Sequence, residues 1–494
     1  MKKYIILVLG LLGAISAFAQ SADEKVGALM NQGKWFELRE FYETNADSVH
    51  PFLDLFGKAM LANFFNRPEE AATLCDRLLN SGQLDLGNVV SVGSILCSNL
   101  SKLGLNEKAV QILESINASI APYHQHLDSA TIAGIKTNIA LYKALSQYKI
   151  NDLKPFQGKA IIPFYFKPIG SEKSQSVSMN INGAMNGHEC SMIFDTGAGV
   201  NVISDSLAMA MGVDILDVNL VAGGIGAQSA KLAVVKELKI GDITICNVPF
   251  YVMTIKSGND EADRYMRDLH AIIGRNVMET VKYLTIDFSN QTIAVLQKSD
   301  IPENVATNMS ISNGGIYKLH CGTFDGERLI LNPDTGDSSF GMLYSNTLSM
   351  FQKHMSLNLA PDSVRMAGSG GVIESRYYDV KDMPLVIGDA TVVIPQLPLL
   401  KSDTTLGNDA EFSGRMGIET FRLFKTVSFD LSRMIMYPEV YKSLVVKTEP
   451  SHEVPQFRYQ DKSEMKPWQT AAFIGLALGK ELLLPASSDY NLDK

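Results

Sequence analysis

The triplet Asp-Thr-Gly occurs twice in this chain of 494 residues, and both copies stand in the same local pattern. A turn dipeptide of the hairpin type, Asn186-Gly187 or Asp325-Gly326, lies eight residues before each aspartate (195 − 187 and 334 − 326). A mostly apolar run joins each dipeptide to its triplet, which is the pattern of a β-hairpin whose second strand ends at an aspartate. The two triplets are Asp195, Thr196 and Gly197, and Asp334, Thr335 and Gly336. The chain is therefore predicted to build one structural unit twice.

The repetition continues beyond the triplets. In each half a diglycine stands eighteen residues before a Gly-Asp dipeptide, from Gly223 to Gly241 and from Gly370 to Gly388 (241 − 223 and 388 − 370). Residues 274–289 then match residues 417–432 at an offset of 143 (417 − 274). Blocks repeated in one order indicate an ancestral unit used twice, and two such units are expected to face each other about a pseudo-twofold axis.

Two aspartates delivered by duplicated halves suit a hydrolase that uses a pair of carboxylates. Like charges held about 3 Å apart do not both ionise readily, so the pair shares one proton. One carboxyl can then act as a base toward water while the other polarises a carbonyl group. Asp195 and Asp334 are the predicted catalytic pair.

With these residues in view, the chain resembles the aspartic proteases over roughly residues 156–440. The segment 192–204 resembles the catalytic loop of retropepsin-like domains, and Ile272-Ile273-Gly274 is similar to the second signature of that family. Two such units in one chain resemble the bilobal, pepsin-like arrangement. The glycines at the position of the family's mobile flap are Gly223, Gly224 and Gly226 in the first half and Gly370 and Gly371 in the second.

The resemblance implies an aspartic endopeptidase that hydrolyses a polypeptide bound as an extended strand. It implies that Thr196 and Thr335 lock the two loops together by hydrogen bonds. It also implies that Gly197 and Gly336 leave backbone N–H groups free to reach the carboxylates. No cofactor is expected, because the nucleophile is water.

The second half departs from the family pattern at three places. Pro333 precedes Asp334, Asp337 follows the second triplet, and Arg415-Met416 offers one apolar residue where the family has two. These departures leave three alternatives open. The chain could be a pseudoprotease that binds a peptide without cutting it, a homodimer in which Asp195 of two chains meet, or an interaction protein whose helical repeats carry the function.

The N-terminus has the composition of a secretory signal peptide. Two lysines precede an apolar run over residues 5–15, and Ala17-Phe18-Ala19 forms an Ala-x-Ala cleavage site. The run is too short to span a bilayer comfortably. Cleavage after residue 19 leaves a net charge of −11 (42 − 53), and no basic stripe offers itself to phosphates. We expect a secreted protein, periplasmic or extracellular, with no membrane span after cleavage and no nucleic-acid partner.

The predicted architecture is multidomain, with N-terminal all-α helical repeats followed by an all-β, bilobal, aspartic-protease-like double domain. The segments at Phe65–Ala72 and Leu103–Val110 repeat at a spacing of 38 residues (109 − 71), close to the period of tetratricopeptide-like hairpins. These helices offer a possible site for a protein partner. The predicted ranges are 1–19 for the signal peptide, 20–155 for the helices, 156–297 for lobe 1, 298–314 for a linker, 315–440 for lobe 2 and 441–494 for the tail.

No metal site is predicted. The spacing of the five cysteines fits no metal motif, and His124 and His126 lack a positioned acid. Export permits disulfides, and Cys75 with Cys97 is a conceivable pair within the helical region. The odd count leaves at least one cysteine unpaired within the chain.

Overall fold

A computed structural model describes residues 21–169, 176–224, 226–256, 258–260, 263, 270–368, 371–402 and 411–441. The predicted signal peptide, Gly370 and all but the first residue of the predicted tail lie outside these ranges. The chain divides into two compact units after Ile150. Each unit is described by itself below.

The first unit is helical. Its α-helices are α1 (Ala22–Asn31), α2 (Trp35–Asn45), α3 (Pro51–Phe64), α4 (Pro68–Leu79), α5 (Leu86–Lys102), α6 (Asn106–Ile120) and α7 (Ser129–Leu145). Two 3-10 turns cover Ala46–Ser48 and Ala121–His126. From α3 onward each helix packs on the next along the chain. Among the described residues, no helix has the length and apolar character needed to cross a membrane.

Three of the helix pairs are joined by short turns of the same kind. Gly33, Asn66 and Gly104 adopt φ values of +64°, +53° and +75° just after α1, α3 and α5. Glycine and asparagine tolerate this left-handed conformation best, which explains their place at the turns. The helix hairpins are therefore present, and their membership of the tetratricopeptide class stays a prediction. All five cysteines are free, and no group of three or more metal-ligating side chains occurs in the described part of the chain.

The second unit consists mainly of β-structure. Its strands are β1 (Asp152–Leu153), β2 (Lys159–Pro168), β3 (Val177–Met185), β4 (His188–Phe194), β5 (Val202–Ser204), β6 (Asp214–Gly223), β7 (Ala227–Ile240), β8 (Ile243–Met253), β9 (Ala271–Ile273), β10 (Tyr283–Asp287), β11 (Thr292–Leu296), β12 (Met309–Ile311), β13 (Tyr317–Gly322), β14 (Arg328–Pro333), β15 (Gly341–Leu343), β16 (Leu359–Gly368), β17 (Gly371–Ile387), β18 (Ala390–Leu400), β19 (Gly414–Met416), β20 (Phe424–Asp430) and β21 (Ile435–Val440). Short helices follow at α8 (Asp205–Ala210), α9 (Arg275–Val281), α10 (Leu348–His354) and α11 (Ile418–Phe421).

The two halves of this unit share one topology. In the first half, β9 runs parallel to β4 and antiparallel to β5, and β5 runs parallel to β8. In the second half, β19 runs parallel to β14 and antiparallel to β15, and β15 runs parallel to β18. The protein therefore has the predicted succession of helices and a bilobal β region, and the sequence duplication is a duplication of topology.

A continuous sheet joins the two lobes. Strands β10 and β20 pair antiparallel, with Thr285 opposite Ser428 and their hydroxyl oxygens 2.8 Å apart. These two residues are separated by 143 positions (428 − 285), the offset that relates the two halves in sequence. The pseudo-twofold axis therefore passes between these two residues.

Part of the predicted linker 298–314 is a strand. β12 pairs with β13, and the side chains of Met309 and Ile311 are buried. The Asn308 side-chain amide donates to the carbonyl of Met436 at 2.8 Å. The asparagines of this segment suggested a loop, but Asn308 binds the neighbouring backbone and the apolar residues between the polar ones enter the core.

Candidate active site

Each aspartate of the two triplets follows a strand whose last three residues are buried. β4 ends at Phe194, and the Asp195 amide then donates to the carbonyl of Ile273 at 2.9 Å. In the other lobe the Asp334 amide donates to the carbonyl of Met416, also at 2.9 Å. The neighbouring parallel strand therefore fixes each aspartate from behind. Both aspartates are fully buried, with 0% of their surface exposed.

Matching backbone amides bind the inner oxygen of each carboxyl. Asp195 Oδ1 accepts from the amides of Gly197 at 2.8 Å and Ala198 at 3.1 Å. Asp334 Oδ1 accepts from the amides of Gly336 at 2.9 Å and of the next residue at 3.1 Å. The outer oxygens, Oδ2 of Asp195 and Oδ2 of Asp334, are buried and accept no hydrogen bond from a backbone amide of the described residues. The two carboxyls are close enough for each to influence the pKa of the other, and two neighbouring buried carboxyls are expected to share one proton.

The two threonines of the triplets hold the loops together. The Thr196 amide donates to Thr335 Oγ1 at 3.0 Å, and the Thr335 amide donates to Thr196 Oγ1 at 3.0 Å. The Thr196 hydroxyl donates to the carbonyl of Pro333, and the Thr335 hydroxyl donates to that of Phe194, both at 2.7 Å. All these groups are buried, so each bond is protected from competition with water. The arrangement sets the two carboxyls beside each other within one chain.

The position of Pro333 explains why a proline is tolerated there. A proline lacks an amide hydrogen but keeps its carbonyl acceptor. Pro333 lies opposite Met416 in the parallel ladder, and its carbonyl receives the Thr196 hydroxyl. The lock between the loops uses the carbonyl of this residue, so the proline removes no group that the lock needs.

Gly197 and Gly336 are required by close packing against the carboxyls of the opposite lobe. A Cβ atom added at Gly197 would lie 2.6 Å from Asp334 Oδ1, and one added at Gly336 would lie 2.7 Å from Asp195 Oδ1. Real Cβ atoms do not approach other atoms so closely. The glycines therefore allow the two loops to approach until the carboxyls interact.

Burial dominates the electrostatics of the pair. It raises the pKa of Asp195 to about 6, while the interaction with Asp334 and hydrogen bonds from backbone amides lower that pKa. Burial and the negative charge of Asp195 raise the pKa of Asp334 above its ordinary value. Arg415 lowers the pKa of Asp334, and Asp337 raises it. The proton that remains at working pH belongs to the pair rather than to either residue.

In the sequence Arg415 stands where the family has an apolar residue, and in the structure its guanidinium lies beside Asp334 and Asp337. Arg415 Nη1 is 3.9 Å from Asp334 Oδ2 and 3.9 Å from Asp337 Oδ2. The sequence signal was available in the offset of 143, because Arg415 aligns with the apolar Ile272 (415 − 143). When a charged residue in one copy of a duplicated unit aligns with a buried apolar residue in the other, the two copies differ in charge at that position.

Both predicted flaps are β-hairpins. β6 and β7 pair up to Gly223 opposite Ala227, and the Gly224 amide donates to the carbonyl of Gly226 at 3.0 Å. β16 and β17 pair up to Gly368 opposite Gly371. Each lobe therefore carries its own hairpin of this kind. A role of these glycines in substrate binding stays a prediction.

Comparison with known proteins agrees with the resemblance in the first lobe. Residues 179–277 match a family described as aspartyl protease. A solved structure of a retropepsin-like aspartic protease from Rickettsia conorii is similar at 15% identity and a TM-score of 0.19, covering 29% of this chain and 90% of that chain. No curated protein matches the sequence.

Proposed function

Taking as premise that the first lobe is similar to the aspartyl proteases, we propose that this protein is an aspartic endopeptidase whose dyad is Asp195 and Asp334 of a single chain. The observation that carries the proposal is the pair of reciprocal hydrogen bonds between Thr196 and Thr335, which holds the two buried carboxyls beside each other. A loop of merely structural function has no need to bring two acidic groups together away from water, since burial of like charges is costly.

The chemistry follows from the shared proton. The ionised carboxyl accepts a proton from a water molecule, whose oxygen attacks the carbonyl carbon of the scissile peptide. The protonated carboxyl donates its proton to the carbonyl oxygen. The tetrahedral intermediate then collapses: the protonated carboxyl gives its proton to the leaving nitrogen, a hydroxyl of the intermediate returns its proton to the ionised carboxyl, and the C–N bond breaks. The dyad again holds one proton. The amides of Gly197 and Gly336 donate to the Oδ1 atoms of Asp195 and Asp334. The Oδ2 atoms are therefore the ones that exchange protons with water and substrate.

A polypeptide is the substrate class that the two hairpins favour. An extended peptide passing between the tips of β6–β7 and β16–β17 would pair with strand edges through its backbone. The glycine-rich tips allow the backbone to approach closely and to adopt conformations closed to other residues. Closure of the hairpins would exclude water other than the nucleophile.

The proposal also includes export of the protein and binding of a partner by the helical unit. The sequence of residues 1–19 supports secretion to the periplasm or the medium. The three helix hairpins that begin at α1, α3 and α5 resemble modules that bind partner segments. We place a protein partner, or a segment of the substrate, at these helices.

The experiment that tests the proposal is cleavage of a diverse peptide library by the mature protein over acidic and neutral pH. Asp195→Asn and Asp334→Asn should each abolish cleavage, because the dyad acts as a unit. Asp300→Asn is a matched control, since Asp300 is exposed and distant in sequence from both triplets. Thermal unfolding checks that every variant is folded, and the change of volume is small.

Two results would contradict the proposal. If the folded protein cuts nothing at any pH, with or without the helical unit, it is not a protease. Binding of library peptides without cleavage would then support the pseudoprotease alternative. If Asp334→Asn alone keeps full activity, the second lobe is a scaffold and catalysis needs a second chain.

A further inference from the structure

The hydrogen bonds to the dyad do not distinguish its two members. Each inner oxygen accepts from two amides at nearly the same distances, 2.8 and 3.1 Å for Asp195 and 2.9 and 3.1 Å for Asp334. The lock between the threonines is likewise reciprocal. Any difference between the two carboxyls must therefore come from the groups behind them.

The groups behind the carboxyls differ in charge. In the first lobe, Ala198 follows the triplet, and Ile272 lies on the parallel strand opposite Ile193. In the second lobe, Asp337 follows the triplet, and Arg415 lies on the equivalent strand. All four residues are buried, at 3% exposure or less. The second lobe thus holds a pair of opposite charges where the first holds two apolar side chains.

The charged pair is anchored and lies within reach of the dyad. Arg415 Nη1 is 3.9 Å from both Asp334 Oδ2 and Asp337 Oδ2, and Arg415 Nη2 donates to Tyr344 Oη at 3.3 Å. Asp337 Oδ1 accepts from the amide and the hydroxyl of Ser339 at 2.9 and 2.6 Å. A guanidinium stays charged at any working pH, and in a buried site its field acts on Asp334 with little screening.

Stability alone does not explain this pair. Replacing a buried ion pair by well-packed apolar residues is often neutral or stabilising. The first lobe folds with Ile272 and Ala198 at the same two positions. Apolar residues at these two positions are therefore compatible with the fold. The second lobe has charged residues there instead, next to the dyad.

We propose that Arg415 is a positioning residue that favours negative charge on Asp334, and that Asp337 anchors its guanidinium and limits its effect. The inference rests on the proposed function and deepens it, because it makes the two aspartates unequal. The charged groups that face Asp334 are Asp195 from the other lobe, Arg415 from β19 and Asp337 from its own loop. Of the latter two, Arg415 acts more strongly on the pKa of Asp334, so the pair eases loss of the shared proton.

Three variants test the proposal. Asp337→Asn leaves the positive charge of Arg415 with the dyad as its negative neighbour. The limb of the pH–rate profile at which activity falls with rising pH should then move to lower pH by about one unit. Arg415→Ile combined with Asp337→Ala installs the residues of the first lobe, and it should move that limb to higher pH. Arg415→Lys keeps the positive charge and should leave the limb nearly unmoved.

A second measurement does not depend on activity. The pH dependence of the melting temperature reports ionisation of the dyad through linkage. The pH at which the melting temperature changes most steeply should follow the same order, lowest for Asp337→Asn and highest for the double variant. If the unmodified protein cleaves no peptide, the proposed function fails, while this order still decides the role of Arg415.

The proposal would be overturned if the variants changed the stability of the protein without changing its pH dependence. If each variant lowers the melting temperature by the same amount at every pH and the limbs stay in place, Arg415 serves only packing. Shifts in the reverse order would also overturn the proposal. If the double variant does not fold, the two single variants still test the proposal, because Asp337→Asn should shift the limb to lower pH and Arg415→Lys should leave it in place.

Discussion

Thr196 and Thr335 exchange identical hydrogen bonds, each amide donating to the other's Oγ1 at 3.0 Å. They stand 139 residues apart in sequence, one in each lobe. Their two hydroxyls then donate to the carbonyls of Pro333 and Phe194. The residues that precede and follow the aspartates are thus fixed by the opposite lobe, and neither carboxyl can move without disturbing the other.

Loss of one hydroxyl from this lock should be costly. Thr335→Val removes the acceptor of the Thr196 amide and the donor to the Phe194 carbonyl, leaving both groups buried and unpaired. Each unpaired group costs about 1–3 kcal/mol, so urea unfolding should show a clear loss of stability. Thr335→Ser is the control, because it keeps the hydroxyl. Equal stability of the valine and serine variants would show that the lock contributes nothing.

The raised pKa of Asp195 predicts how stability depends on pH. A carboxyl whose pKa is higher in the folded protein stabilises the fold fully below its unfolded value of about 3.9. That contribution is lost as pH rises through about 6. Asp195→Asn should therefore be more stable than the unmodified protein at neutral pH, by on the order of 3 kcal/mol, with a flatter profile. Melting temperatures from pH 4 to 7.5 check this, and parallel curves would contradict it.

A methyl group at Gly336 should disrupt the dyad. Gly336→Ala places a Cβ 2.7 Å from Asp195 Oδ1, and relief requires the two loops to separate. We expect loss of cleavage and a destabilisation of about 1–3 kcal/mol, as for other overpacked cores. Gly87→Ala is the matched control, since its Cβ would meet nothing closer than 3.6 Å. Full activity of the Gly336 variant would mean that the carboxyls need not approach so closely.

In the proposed dyad both aspartates belong to one chain, so two inactive variants should not complement each other. A mixture of Asp195→Asn and Asp334→Asn proteins should remain inactive, and the specific activity of the unmodified protein should not change on dilution. A homodimer that joins Asp195 of two chains predicts a loss of specific activity on dilution. Cleavage assays over a hundred-fold range of concentration, with sedimentation to establish the oligomeric state, distinguish the two.

Much of the site follows from the sequence because its signals are local. The turn at Asn186-Gly187, the apolar strand after it and the triplet that ends it lie within twelve consecutive residues (197 − 186 + 1). The duplication then supplies the second copy, and the offset of 143 reappears where Thr285 pairs with Ser428. The helix hairpins follow for the same reason, since Asn66 and Gly104 mark their turns with residues that tolerate a left-handed backbone.

The tertiary structure alone decided what the departures in the second lobe mean. Pro333 conflicts with a strand when only its missing amide hydrogen is considered, but its carbonyl accepts from Thr196, 137 residues away. Arg415 reads in the sequence as a lost apolar residue, but parallel pairing of β14 and β19 brings its guanidinium to the dyad. Local sequence specifies strands and turns, whereas the partner of a polar group across two lobes depends on how separate strands pack. For that reason the aspartates were predictable, whereas the contact between Arg415 and Asp334 required the tertiary structure.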